Sequence, residues 1–175
     1  YGGIGRSYAE LLVGGSEDFE SGGLLMLGRS GAKEEDQGSR YMSGSKMAVV
    51  CGRCDVTQSE DTEAVVRVAR QASGKKVSGV LHLAGKVKDG MMMNMGWEDV
   101  REVVLPKVGG LRSLQGAVKE ESVGWVLFSS TTAMMGNIGQ GNYAIANGFL
   151  DGFAVRTQTE KEVVSVNWGA GLKGG

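Results

Sequence analysis

The chain has 175 residues, enough for one domain with a sizeable core. Hydrophobic residues make up 41% and charged residues 22%, and 19 Lys+Arg stand against 20 Asp+Glu for a net charge of -1. That balance supplies no basic face for nucleic acid or for a membrane surface, and no apolar run approaches the ~18 residues of a membrane span.

Read in order, YGGIGRSYAELLV opens on a glycine turn and runs into an apolar helix. Free backbone N–H groups at such a helix start attract phosphate. The strand that should feed this turn is missing, so the expected domain, 1–175, is a fragment cut at its start. GGSEDFESGG reads as a polar loop and LLMLGRS as a short strand, Leu24 to Leu27, that delivers Arg29. GAKEEDQGSRYMSGSK is a solvated helix or loop, and MAVVCGRCDV is the next strand. In TQSE, Thr57 and Glu60 have the spacing of a capping box. The helix behind it carries Ala64, Val65, Val68 and Ala69 at helical spacing. VSGVLHLAG reads as a strand, and KVKDGMMMNMG as a loop. Its methionines Met91, Met92, Met93 and Met95 suit either core filling or an apolar acyl path. A helix from Trp97 to Val118 follows, disturbed at Pro106. VGWVLFSS is a strand, a helix starts near Asn142, and VVSVNWG is a last strand. The alternation predicts an α/β fold: a Rossmann-like, doubly wound parallel sheet with helices on both faces. Gly5, Arg29, Asp55, Gly85 and Ser130 all fall where ligands bind in such sheets, beyond the carboxyl ends of strands.

Cys51 and Cys54 stand as CGRC. No second cysteine pair or nearby His completes a metal site, and on a strand the two thiols face opposite ways. Two thiols without a secretory signal fit a reducing compartment, here the cytoplasm.

Gly3-Ile4-Gly5 is a partial dinucleotide fingerprint, with Tyr8 where the third glycine would stand. An acid after the second strand would hold a ribose 2′-hydroxyl; Arg29 there suits a 2′-phosphate, hence NADPH rather than NADH. Asp55 and Val56 end the third strand. Asp55 reads either as an acceptor for an adenine amine or as a turn residue.

Ser130, Tyr143 and Asn147, with Lys107 upstream, can form a proton-transfer machine around a carbonyl. Reduction needs a proton on oxygen, and an ordinary phenol has a pKa of about 10. A cation about 4 Å away is worth roughly 4 kcal/mol at an effective dielectric of 20, or about three pKa units. Asn147 lies one helical turn beyond Tyr143. Lys107 reads equally as an exposed helix lysine. His82, in LHLAG, reads as a hydrogen-bonded core histidine.

The pieces GGIG, LLMLGRSG, CDVT, GVLHLAGKVKDG, LPKVGGLRSL, WVLFSSTTAMMGNIGQGNYAIANGFLDGFA and VVSVNWG run in order along the chain. In that order they resemble the ketoreductase domain of modular polyketide synthases, within the short-chain dehydrogenase/reductase superfamily. Other branches carry Tyr-x-x-x-Lys; here position 147 is Asn and the lysine is Lys107. The resemblance implies Tyr143 as proton donor, Ser130 as its partner, and Lys107 and Asn147 in support. It implies NADPH on Gly2, Gly3, Ile4, Gly5, Arg29, Ser30, Asp55, Val56, Ala84 and Gly85. The implied substrate is a β-ketoacyl thioester on an acyl carrier protein, with the other domains of the same synthase as partners. Asp89 in the loop after Ala84-Gly85, and Met135 where a Trp marks the opposite class, imply a 3R alcohol. A substrate lid and final strand are expected to be missing after WGAGLKGG, and Tyr8 to pack outward. A fatty-acid synthase module, a free-standing reductase and a non-catalytic scaffold are the alternatives.

Overall fold

The computed structural model describes residues 3–14, 22–31, 48–119, 121–157 and 162–169. The polar stretches expected at 14–23 and 31–46 fall largely outside them, as do Gly2 and the last residues.

Among the described residues five strands form: β1 (Gly23–Gly28), β2 (Ala48–Arg53), β3 (Gly79–His82), β4 (Gly124–Ser130) and β5 (Val163–Trp168). Every pairing is parallel. Helix α1 (Gly3–Gly14) precedes them, and between them lie α2 (Ser59–Ser73), α3 (Trp97–Val104), α4 (Gly110–Ala117), α5 (Thr132–Met135) and α6 (Gly141–Thr157). No described helix is long and apolar enough to cross a membrane.

The expected single sheet is present as two, β1-β2 and β3-β4-β5. Pairing stops at β1 and at β3 because no described strand hydrogen-bonds to both. The core gathers on one face of β4. Trp125 and Leu127 alternate toward Leu111 and Leu114 of α4, Leu150 and Ala154 of α6, and Val66 of α2. The other face meets α1. There Tyr8 packs edge-on against Phe128, with ring centroids 5.0 Å apart, and against Trp168 at 5.9 Å. The expectation that Tyr8 points outward is therefore wrong: those two rings offer it an aromatic cage.

Local chemistry accounts for the element ends. Thr57 does not cap α2. Asp55 captures it instead, its Oδ1 accepting from Thr57 N–H (3.0 Å) and from the Thr57 hydroxyl (2.8 Å), so α2 starts two residues later. The helix closes at Gly74, whose φ of 66° is left-handed and whose N–H returns to Arg70 O. The long helix expected over 97–118 is interrupted at Pro106. Lacking an N–H, Pro106 breaks the α ladder, and Leu105–Gly109 form a π turn between α3 and α4. Met91, Met92 and Met93 are not core: all three are exposed, Met93 to 93%.

Candidate active site

The π turn places Lys107 inside the protein, at 3% exposure, so it is not a surface helix lysine. Its Nζ donates to Phe128 O of β4 at 2.7 Å and lies 5.8 Å from the centroid of the Tyr143 ring, within cation–π range. Burial lowers the ammonium from its ordinary 10.5 to about 8, and the negative charge of Asp151 opposes that shift. At the other end of the residue, His82 Nε2–H donates to Lys107 O at 2.9 Å. Burial pushes the His82 ring down to about 4, so it stays neutral at neutral pH, as a hydrogen-bonded core histidine does. Gly85, just past β3, lies against the lysine. A Cβ at Gly85 would meet Lys107 Cε at 3.3 Å and Nζ at 3.5 Å.

Tyr143 sits half-buried in the first turn of α6. Asn147, one turn on and fully buried, donates from Nδ2 to Tyr143 O at 2.8 Å. Its Oδ1 is buried and has no hydrogen-bond partner among the described residues, an acceptor that calls for a donor. Ser129 Oγ donates to Asn147 O at 3.3 Å, tying the end of β4 to α6. The Ser130 hydroxyl donates to Thr132 Oγ1 at 3.1 Å and accepts from Thr132 N–H at 3.2 Å. Lys107, Tyr143, Asn147 and the last turn of β4 thus form one connected cluster.

Asp89 and Met135 border it differently. Asp89 is exposed and accepts from Gln140 Nε2 at 3.0 Å, while Met135 is 79% exposed at the end of α5. The Asp89 loop is held at several points. Gly90 N–H donates to Gly139 O, and buried Asn142 donates to Lys88 O at 2.9 Å. Lys88 pairs with Asp99 and Glu102, both at 2.8 Å, and Lys86 also pairs with Glu102. Lys86, then Lys88, draw the Glu102 carboxyl down to about 2.

The expected nucleotide residues line the same end of the strands. Gly3, Ile4 and Gly5 lie in the first turn of α1, where a Cβ on Gly5 would meet Leu83 just past β3. Arg29 and Ser30 are exposed in the turn after β1. Asp55 and Val56 follow β2, and Ala84 and Gly85 follow β3. A cleft of about 480 Å³ lies beyond β1 and β2, lined by Arg29, Arg53, Cys54, Asp55 and Asp61 among others. Arg53 was missed in the sequence because CGRC drew attention to its cysteines. Its signal was its place at the end of a strand; its pairing in register with Gly28, next to Arg29, shows only in the fold. Cys51 and Cys54 are free, and no group of residues able to hold a metal ion occurs among the described residues. Two arginines at one strand edge suit a phosphorylated ribose. Gly85 leaves space against Lys107 that a side chain would fill. Both features fit a nicotinamide dinucleotide.

A parallel α/β fold with a Tyr, a buried Lys, an Asn and a Ser at the carboxyl ends of its strands is that of a short-chain dehydrogenase/reductase. The chain belongs to the ketoreductase family of that class: the family model described as KR domain matches residues 1–172. Such domains bind a nicotinamide cofactor and reduce β-ketoacyl intermediates. A phenolphthiocerol/phthiocerol polyketide synthase of Mycobacterium tuberculosis is 36% identical over 182 residues, covering 95% of this chain and 8% of that protein. The erythronolide synthase EryA3 of Saccharopolyspora erythraea is 32% identical, with 96% and 5% covered. Among solved structures, an N-terminal ketoreductase from the macrolactin assembly line superposes with a TM-score of 0.84 at 32% identity. It covers 96% of this chain and 35% of its own. An A-type ketoreductase from a modular polyketide synthase gives 0.86 at 25% identity, with 99% and 36% covered. The chain therefore spans less than a tenth of these two synthases.

Proposed function

We propose that this chain reduces a β-ketoacyl thioester, carried on an acyl carrier protein, to the β-hydroxyacyl thioester with NADPH. The observation that carries the reading is the buried Lys107 ammonium held beside the Tyr143 ring. Bound NADPH supplies the hydride. Tyr143 donates the proton to the ketone oxygen, and the Ser130 hydroxyl hydrogen-bonds that oxygen as negative charge grows on it. Lys107 stabilises the phenolate left behind. Asn147 supports the refilling of the proton, its open Oδ1 accepting from a water. Gly3, Ile4 and Gly5 receive the pyrophosphate at the start of α1. Arg29, Ser30 and Arg53 take the 2′-phosphate, Asp55 and Val56 the adenine, and Ala84 and Gly85 border the nicotinamide end. The exposed methionines at 91–93 offer apolar surface to the acyl chain.

Asp89 in its clamped loop, with Met135 in place of a Trp, supports the 3R alcohol. Other domains of the same synthase are the expected partners, since the relatives are far longer chains. The free thiols support a cytoplasmic location. The test follows NADPH and NADH oxidation with a simple β-ketoacyl thioester in the parent polypeptide, wild type beside Tyr143→Phe. Turnover with NADPH, reduced at least about a hundredfold in the variant, is expected, with mainly the 3R product on chiral analysis. Cofactor binding without turnover would point to a different substrate or a required lid, and a folded protein that neither binds NADPH nor reacts would instead be a non-catalytic scaffold.

A further inference from the structure

A polar network behind β4 touches none of the reacting groups, though the charge of its Asp151 also favours the Lys107 ammonium. Asp151 stands on α6 one turn after Asn147 and two after Tyr143, on the same stripe of the helix. Its Oδ1 accepts from Ser165 Oγ at 2.6 Å and its Oδ2 from Asn167 Nδ2 at 2.9 Å. Ser165 and Asn167 share one face of β5, and Asn167 lies in register with Ser129. The same Asn167 Nδ2 donates to Ser130 O and Ser129 Oγ, both at 3.3 Å, and Ser129 Oγ in turn donates to Asn147 O at 3.3 Å. One carboxylate on α6 thus orients one amide on β5. That amide grips the end of β4, which grips α6 again one turn earlier.

We propose that Asp151 and Asn167 are positioning residues: they lock the backbone of Ser130 to the turn of α6 that carries Tyr143 and Asn147. The proposal rests on the reductase reading. The physical basis is direction of donation. A carboxylate at 151 offers acceptors alone, so a charge-assisted bond holds the Asn167 amide with its N–H groups turned to Asp151 and to Ser130 O. In Asp151→Asn one of the two acceptors becomes a donor, so the bonds from Ser165 Oγ and Asn167 Nδ2 cannot both persist; the one that does is a weaker, neutral bond, and the hold on the Asn167 amide loosens. The side chain keeps its shape.

The test measures kcat, KM and Tm for Asp151→Asn and for the exchanged pair Asp151→Asn/Asn167→Asp, in the parent polypeptide. Misplacing a catalytic group by about an ångström costs up to roughly a hundredfold. We therefore expect kcat of Asp151→Asn to fall roughly 10- to 100-fold, with both KM values little changed. The exchanged pair restores a bond between positions 151 and 167 but puts an acceptor against Ser130 O. It should recover Tm and not kcat. An unchanged kcat in Asp151→Asn, or recovery of kcat together with Tm in the exchanged pair, overturns the proposal and leaves a merely structural pair. Amide hydrogen exchange over 128–132 and 145–149 supplies a readout independent of turnover. Faster exchange in folded Asp151→Asn is expected, and unchanged exchange refutes the lock. If wild type itself turns nothing over, the reductase reading fails, and the exchange result alone decides whether the lock exists.

Discussion

Lys107 concentrates the chemistry and the cost of the site in one side chain. Burial holds its ammonium at about 8 against 10.5 in an unfolded chain. Below pH ~8 both states carry the proton, and the native state bears the full penalty of a buried charge. Between about 8 and 10.5 the native state has released a proton that the unfolded chain still holds, so stability rises with pH over that window. The charge beside Tyr143 disappears over the same window. We predict opposite trends above pH 8: kcat/KM falls while the urea midpoint of unfolding climbs. Lys107→Gln, compared in the same two assays, should abolish the rise in midpoint. The spacing of Tyr143 and Asn147 was readable directly, because both belong to one helix and a fixed offset sets their shared face. The burial of Lys107 was not, because it depends on where a π turn leaves a side chain relative to strands that meet it only in the folded protein. Resemblance to a family pointed to the lysine; its contacts come from the structure.

At the scale of the elements, the π turn is held from its core side by His82. The ring is neutral in the native state, where burial sets it to about 4, against 6.5 when unfolded. Above pH ~6.5 neither state takes the proton. From 6.5 down to 4 the unfolded chain is protonated and the native one is not, so stability falls, and below 4 the loss is complete. The difference amounts to about 3 kcal/mol. His82→Gln keeps a donor to Lys107 O without a group that titrates in this range. The wild-type urea midpoint should drop between pH 7 and 4 by more than that of the variant. A variant that drops equally would place the acid sensitivity elsewhere. The interruption at Pro106 was legible, because a residue without an N–H breaks the helical ladder. Element boundaries were misread where side chains compete locally: Asp55, not Glu60, is the residue that engages Thr57.

For the whole molecule, α6 is both the support of Tyr143 and a wall of the core. Leu150 is fully buried on the face that meets β4 and α4. Leu150→Ala should cost about 2–5 kcal/mol by urea unfolding, and kcat should fall only as far as α6 tilts. The parallel α/β plan was legible from alternation alone. Contacts fixed by cross-strand register were not. Asn167 opposite Ser129, Arg53 beside Arg29, and Tyr8 under Phe128 each join residues whose distance along the chain carries no hint of proximity.

The grip on Lys107 from both ends has a historical consequence. Its carbonyl is tied to β3 through His82 and its ammonium to β4 through Phe128 O. The Tyr143 hydroxyl, in contrast, makes no hydrogen bond among the described residues. The carbonyl hold survives any change of side chain, and the buried ammonium is the costlier group, so a gene copy released from selection for turnover, yet still required to fold, should shed the lysine charge before the tyrosine hydroxyl. Duplicated descendants that have fallen silent would then be recognised by an uncharged residue at position 107 beside an unaltered Tyr143.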